Sequence, residues 1–146
     1  MLNVVLAEDN DVVRNGIRTL LETDQEIRVV ADAANGRELL AKLTKDDQID
    51  LVLTDLNMPE MGGLELIREL KMINPDIKVL ILTIYDHEQY VIASFLEGAS
   101  GYLLKNDHAE ELLFSVKHIK VGGKYLSSEL SIRMLNEKCM EKMRVD

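Results

Sequence analysis

Residues Leu51 to Gly63 read LVLTDLNMPEMGG. The run Ile49-Asp50-Leu51-Val52-Leu53-Thr54 is apolar with little alternation, the pattern of a strand covered on both faces. It stops at an acid, Asp55. Pro59, Gly62 and Gly63 then mark a loop, and Leu64, Ile67, Leu70 and Lys71 carry a helix that Asn74-Pro75 stops. Strand, acidic end, loop, helix is the unit to look for on either side.

Upstream, Val4-Val5-Leu6-Ala7 is a buried strand ending in Glu8-Asp9. Val13, Ile17, Leu20 and Leu21 follow at i, i+4, i+7 and i+8, one helical face, which Asn10 or Asp11 can cap. Ile27 to Ala31 is a second strand, Asn35-Gly36 a turn, and Leu39, Leu40 and Leu43 a second helix. Downstream, Val79 to Thr83 is a fourth strand. Asp86 then caps a helix through Val91, Phe95 and Leu96, closed by Gly98. Tyr102-Leu103-Leu104 is a short fifth strand, after which Asn106 or Asp107 opens a helix carrying Leu112, Leu113, Val116 and Ile119. Strands alternating with helices pair in parallel through right-handed crossovers. The expected fold is α/β: a flavodoxin-like (βα)5 doubly wound parallel sheet of order 2-1-3-4-5, in three layers.

The chain has 146 residues, enough for about one domain. Its 17 basic and 26 acidic residues leave a net charge of −9. A domain this acidic lacks the counterion-release drive for phosphate backbones, so no nucleic acid is expected to bind this chain itself. It has no apolar run of about 18 residues to span a membrane and no signal-peptide pattern at its start; a cytoplasmic location is expected. The lone Cys139 excludes internal disulfides. His87, His108 and His118 lack metal-ligand spacing and read as surface helix residues. The acidic pair Asp46-Asp47 reads as a solvated loop.

In such sheets ligands sit beyond the carboxyl ends of the strands, at the switch point between strands one and three. There this sequence puts Glu8-Asp9, Asp55, Thr83 and Lys105. The carboxylates repel one another unless a cation joins them. Oxygen ligands favour a hard cation, and Mg²⁺ fits because it takes one or two carboxylates and keeps its waters. An Asp carboxylate can attack a phosphoryl group, and Asp55 is the best placed, at the end of the central strand. Lys105 supplies a point charge and Thr83 a hydroxyl to phosphoryl oxygens.

With those residues in place, the chain resembles the receiver domain of two-component response regulators. The matching pieces are Val4 to Asp9 (VVLAED), Leu51 to Gly63 (LVLTDLNMPEMGG), Leu80 to Thr83 (LILT) and Gly101 to Lys105 (GYLLK). The resemblance implies a receiver domain over residues 1–121. It implies Asp55 as phospho-acceptor, Glu8 and Asp9 as the acidic pair for Mg²⁺, and Asn57 as donor of a backbone carbonyl to the metal. It further implies Thr83 and Lys105 as phosphoryl ligands, and Tyr102 as an aromatic that changes rotamer when Thr83 moves inward. The implied donor is the phosphohistidine of a sensor histidine kinase. The implied response is a changed face of fourth helix, fifth strand and fifth helix, with a homodimer on phosphorylation. Three positions depart from the common pattern: Ile84 where many receivers carry Ala or Gly, Asn106 after the lysine where many carry Pro, and Glu8 in the acidic pair. Asn57, Ile84 and Tyr85 are expected to tune the lifetime of the phosphorylated form.

Residues 122–146 read as a linker and C-terminal helix, with Ser127 or Ser128 as cap and Leu130, Met134 and Leu135 on one side. Met134, Met140 and Met143 read as gap-filling apolar contacts. His118 to Leu135 is similar to the linker of LuxR/NarL-type regulators, which carry a helix-turn-helix DNA-binding domain after it; here the chain stops too soon to hold one. Transcriptional control through such an absent domain is the expectation, with a stand-alone receiver and a phosphorylation-independent interaction module as alternatives. A flavodoxin-type FMN binder is disfavoured because Glu8-Asp9 would repel phosphate. An aspartate-based phosphatase is disfavoured because Asn57 stands where its second acid is needed.

Overall fold

A computed structural model describes residues 1–43 and 48–145. The expected solvated loop at Asp46-Asp47 lies outside the described residues. The elements run β1 (Leu2–Ala7), α1 (Asp11–Glu22), β2 (Ile27–Ala33), α2 (Gly36–Lys42), β3 (Leu51–Thr54) and α3 (Gly63–Ile73). They continue as β4 (Val79–Thr83), α4 (Glu88–Leu96), β5 (Gly101–Leu104), α5 (Ala109–Lys120), β6 (Tyr125–Leu126) and α6 (Ser128–Val145). The strands form one parallel sheet of order β2-β1-β3-β4-β5-β6. The expected 2-1-3-4-5 order is present, with one short strand added at its edge.

Alternate residues of each strand feed opposite layers, as strand geometry demands. Val5, Val52, Ile81 and Tyr102 face α2, α3 and α4, where Leu39, Leu66, Ile67 and Val91 meet them. Val4, Leu53, Leu82 and Leu103 face α1 and α5, where Leu21, Leu112, Val116 and Ile119 close the layer. In β1–β2 the register slips between Val4 and Val5, so that Val29 and Ala31 oppose them and Val30 is exposed. Asn10 caps α1, accepting from the Val13 amide at 3.0 Å.

Several local readings need correction. Asp86 does not cap α4; its carboxylate accepts from Arg133 at 3.0 Å, and His87 stands at the N-cap without a side-chain bond. Neither Asn106 nor Asp107 caps α5. Asp107 instead folds back on the end of β5, its Oδ2 accepting from the Leu104 amide at 2.9 Å. β2 runs on to Ala33 because Arg18 pairs with Asp32 and makes an acid tolerable in the strand. β3 begins at Leu51, since Asp50 caps the start of β1 by accepting from the Asn3 amide at 2.7 Å.

The C-terminal segment is integrated rather than loosely attached. Gly122 turns the chain at φ 101, a conformation that favours glycine, and β6 then pairs with β5. Ser127 Oγ accepts from the Leu130 amide at 3.4 Å at the start of α6. Leu130 is 1 % exposed, and Met134 packs on the same cluster. Leu135 points the other way and is exposed, because five residues advance a helix by well over one turn. Met140 and Met143 are exposed too, so only Met134 fills a gap.

Because Leu130 is fully buried, Leu130→Ala should lower stability by about 2–5 kcal/mol. Urea unfolding of the whole chain reads this. A loss under about 0.5 kcal/mol, the size of a surface substitution, would mean that α6 does not add to the core.

Candidate functional site

β1, β3 and β5 each continue the ladder one residue past their ends, and this positions the site. The Glu8 amide donates to the Ala33 carbonyl at 3.0 Å, Asp55 to Ala7 at 3.1 Å and Lys105 to Thr83 at 2.9 Å. Three side chains far apart in sequence are thus anchored by backbone bonds on one rim. The chain after Asp55 folds back on itself: Gly63 donates to the Leu56 carbonyl at 2.8 Å. A Cβ at Gly63 would lie 2.4 Å from the Asp55 carbonyl oxygen, so only glycine fits.

On that rim Lys105 Nζ donates to Glu8 Oε1 at 2.5 Å and to Asp55 Oδ2 at 2.7 Å. Asp55 Oδ1 accepts from the Leu56 amide at 2.7 Å. Carboxylate oxygens of Glu8, Asp9 and Asp55 lie within 4.8 Å of one another. Glu8 and Asp55 are buried while Asp9 is exposed, which leaves the cluster one open side. Three acids face one ammonium, and among the described residues the buried Glu8 Oε2 has no hydrogen-bond partner. An orphaned carboxylate oxygen among excess negative charge fits a hard cation.

Thr83 is buried at the end of β4, and its Oγ1 accepts from the Tyr85 amide at 3.4 Å. Tyr102 is fully buried and already turned inward, its hydroxyl donating to the Tyr85 carbonyl at 2.6 Å. Asn57 Nδ2 donates to the Tyr85 hydroxyl at 2.9 Å, joining the loops after β3 and β4. Ile84 is 70 % exposed and lines a groove with Lys105, Asn106, Asp86 and Arg133. The expected site residues therefore share one end of the sheet, with Tyr102 beneath the rim rather than on it. Among the described residues every peptide bond is trans, including Lys105-Asn106.

Arg14 was not legible as part of the site. Its Nη1 donates to the Glu8 carbonyl at 2.7 Å and its Nη2 to Asp11 at 2.6 Å, so it holds the acidic end of β1 against α1. A basic residue one turn after a cap is too common to signal this role.

Burial raises the Glu8 carboxyl above its ordinary value; the Lys105 hydrogen bond opposes this, and the charge of Asp55 adds to it. Burial pulls the Lys105 ammonium down, but its bonds to Asp55 and Glu8 outweigh that and hold it above its ordinary value. Burial, then the charge of Asp55, raises the Tyr102 phenol, which keeps it a hydrogen-bond donor. The site can hold a cation and present one aspartate oxygen beside a fixed ammonium.

The sequence matches the response regulator receiver domain family over residues 4–117. The chain belongs to the response regulator receiver domains. This receiver domain is 37 % identical over 136 residues to the transcriptional regulatory protein DegU of Brevibacillus brevis, covering 93 % of this chain and 57 % of that one. It is 33 % identical over 134 residues to the response regulator UvrY of Escherichia coli, covering 92 % and 61 %. The chain thus spans about three-fifths of these relatives. Among solved structures, a LuxR-family two-component response regulator from Aurantimonas aligns with a TM-score of 0.87 at 29 % identity, covering 94 % of this chain and 97 % of that one. The isolated receiver of RcsB from Salmonella, solved with the phosphomimetic BeF3⁻, aligns at 0.81 and 27 %, covering 89 % and 96 %. No helix among the described residues is long and apolar enough to cross a membrane.

Glu8 in the folded receiver binds its proton more tightly than in the unfolded chain, whose ordinary value is 4.5. Stability from this group is therefore full below that value and is lost as pH rises through the folded one. Glu8→Gln removes that loss. The urea midpoint of the variant, relative to wild type in EDTA, should rise as pH climbs above 4.5 and level off once pH has passed the folded value. A pH-independent difference would contradict the electrostatic reading.

Proposed function

We propose that Asp55 accepts a phosphoryl group from the phosphohistidine of a sensor histidine kinase. The observation that carries this reading is Lys105, whose ammonium bridges Asp55 and Glu8 within an acidic cluster at the carboxyl end of the sheet. An Asp55 carboxylate oxygen attacks phosphorus, the P–N bond breaks, and its electron pair returns to the imidazole. Phosphoryl transfer rests on positioning and charge neutralisation, and these residues supply both. Lys105 neutralises one phosphoryl oxygen and the Thr83 hydroxyl donates to another. Glu8, Asp9, Asp55 and the Asn57 backbone carbonyl would hold Mg²⁺, whose charge offsets the carboxylates and the incoming phosphoryl oxygens.

Water later cleaves the acyl phosphate, so the site acts as a timer. Asn57, two residues after Asp55, is hydrogen-bonded across the two loops to Tyr85, with the bulky Ile84 next to Tyr85 in the chain. We assign all three to control of lifetime. The phosphoryl group favours the arrangement in which Thr83 is drawn toward it and Tyr102 stays inward, a population shift set by differential contacts. The face of α4, β5 and α5 carries that shift to a homodimer. Residues 1–121 act as the receiver and 122–146 as a linker, in the cytoplasm, and the output is transcriptional through a DNA-binding domain in the full-length protein. The name of a relative supports this reading, since DegU is a transcriptional regulatory protein.

Acetyl phosphate with Mg²⁺ should leave an acid-labile label on the wild type and none on Asp55→Asn. A wild type that takes no label favours a phosphorylation-independent interaction module. Tyr85→Phe, which keeps the ring and loses the acceptor for Asn57, should label normally while the label's half-life changes by about two-fold or more, the scale of one lost hydrogen bond. Size-exclusion chromatography of the labelled protein should move toward a dimer; an unchanged elution volume counts against dimerisation.

A further inference from the structure

α6 is tied to the buried aromatic from two directions. On one side, β6 sets Leu126 beside Tyr102, and the Ser127 amide donates to the Tyr102 carbonyl at 2.8 Å. Leu130, in the first turn of α6, lies in the same buried cluster as Tyr102, and Met134 packs against that cluster. On the other side, the Tyr102 hydroxyl holds the Tyr85 carbonyl. The next residue, Asp86, is grasped by α6 itself. Arg133 Nη1 donates to Asp86 Oδ2 at 3.0 Å and to the Asp86 carbonyl at 3.4 Å. The path Tyr102, Tyr85, Asp86, Arg133, Ser127 and back to Tyr102 is a closed ring that runs through the core and returns along the surface.

Such a ring couples two positions. The β4–α4 loop cannot shift its 85–86 backbone without loosening Arg133, and Tyr102 cannot leave the core without vacating the cluster that seats Leu130. From Leu135 to Arg144 every residue of α6 is exposed, so the docked first turns alone fix the direction of the rest. We propose that α6 is the element that reads the switch: it is clamped when Tyr102 lies inward and released when Tyr102 moves outward, with the Asp86–Arg133 pair as the clasp. This deepens the phosphorylation reading and rests on it. By reciprocity, whatever phosphorylation does to α6 docking, docking does to phosphorylation.

Hydrogen exchange on the full chain, with and without acetyl phosphate and Mg²⁺, tests this, with intact mass reporting phosphorylation in the same sample. In the wild type, amides 130–136 should exchange more slowly once Asp55 carries phosphate. Arg133→Ala should speed their exchange about two- to five-fold, the scale of a half-exposed ion pair, and shrink the gain on phosphorylation. The exchanged pair, Asp86→Arg with Arg133→Asp, should restore part of that gain. A fully labelled wild type with unchanged exchange in α6 overturns the clasp and leaves the phosphorylation reading standing. A wild type without label overturns both.

Discussion

One ammonium between two buried carboxylates organises this molecule. Burying Glu8 and Asp55 side by side is unfavourable, because desolvation and mutual repulsion both act against the charged forms. Lys105 offsets part of that cost by donating to both. It does so only because β1, β3 and β5 lie within one parallel sheet and end at the same rim. A surplus of negative charge remains, and among the described residues Glu8 Oε2 remains without a partner. That remainder suits the cluster to a cation rather than to a closed ion pair.

The same rim explains how an event at Asp55 can be felt elsewhere. Thr83 ends the strand beside β3, Tyr85 follows it, and the Tyr85 carbonyl receives the buried Tyr102 hydroxyl. Tyr102 is held at three points: its ring is in the core, its hydroxyl is engaged and its carbonyl accepts from the Ser127 amide. Packed cores are bistable rather than continuously deformable, so the proposed rearrangement at the rim would have discrete consequences at α4 and α6.

The β6–α6 segment packs its first part onto the sheet and core. β6 covers the edge of β5, where an uncovered edge would offer free backbone groups, and Leu130 and Met134 extend the core cluster beneath α4. The helix then leaves the body, with Leu135, Met140 and Met143 all exposed. A helix packed over its first turns and free over its last ones is suited to carrying a signal outward.

Much was legible in the sequence because it follows from local rules. Apolar runs such as LVLT and VLILT need cover on both faces, and their alternation with helical periodicity leaves little choice besides a doubly wound sheet. The rim acids, Thr83 and Lys105 were legible because topology sends every parallel strand end to the same side. What stayed hidden depends on long-range partners. A two-residue strand has no periodicity to read, so β6 emerged only from its pairing with β5. Asp86 and Asp107 look like caps, but Arg133 and the Leu104 amide compete for them successfully. The inward seat of Tyr102 is likewise a tertiary outcome, since the Tyr85 carbonyl and the space beneath Leu130 exist only once the chain has folded. Sequence by itself determined the alternating strands and helices of the (βα)5 body and which groups reach the rim; the tertiary structure decided the edge strand β6 and which of the rim groups are paired, buried or left facing one another, because desolvation and hydrogen bonding are settled only by neighbours distant along the chain.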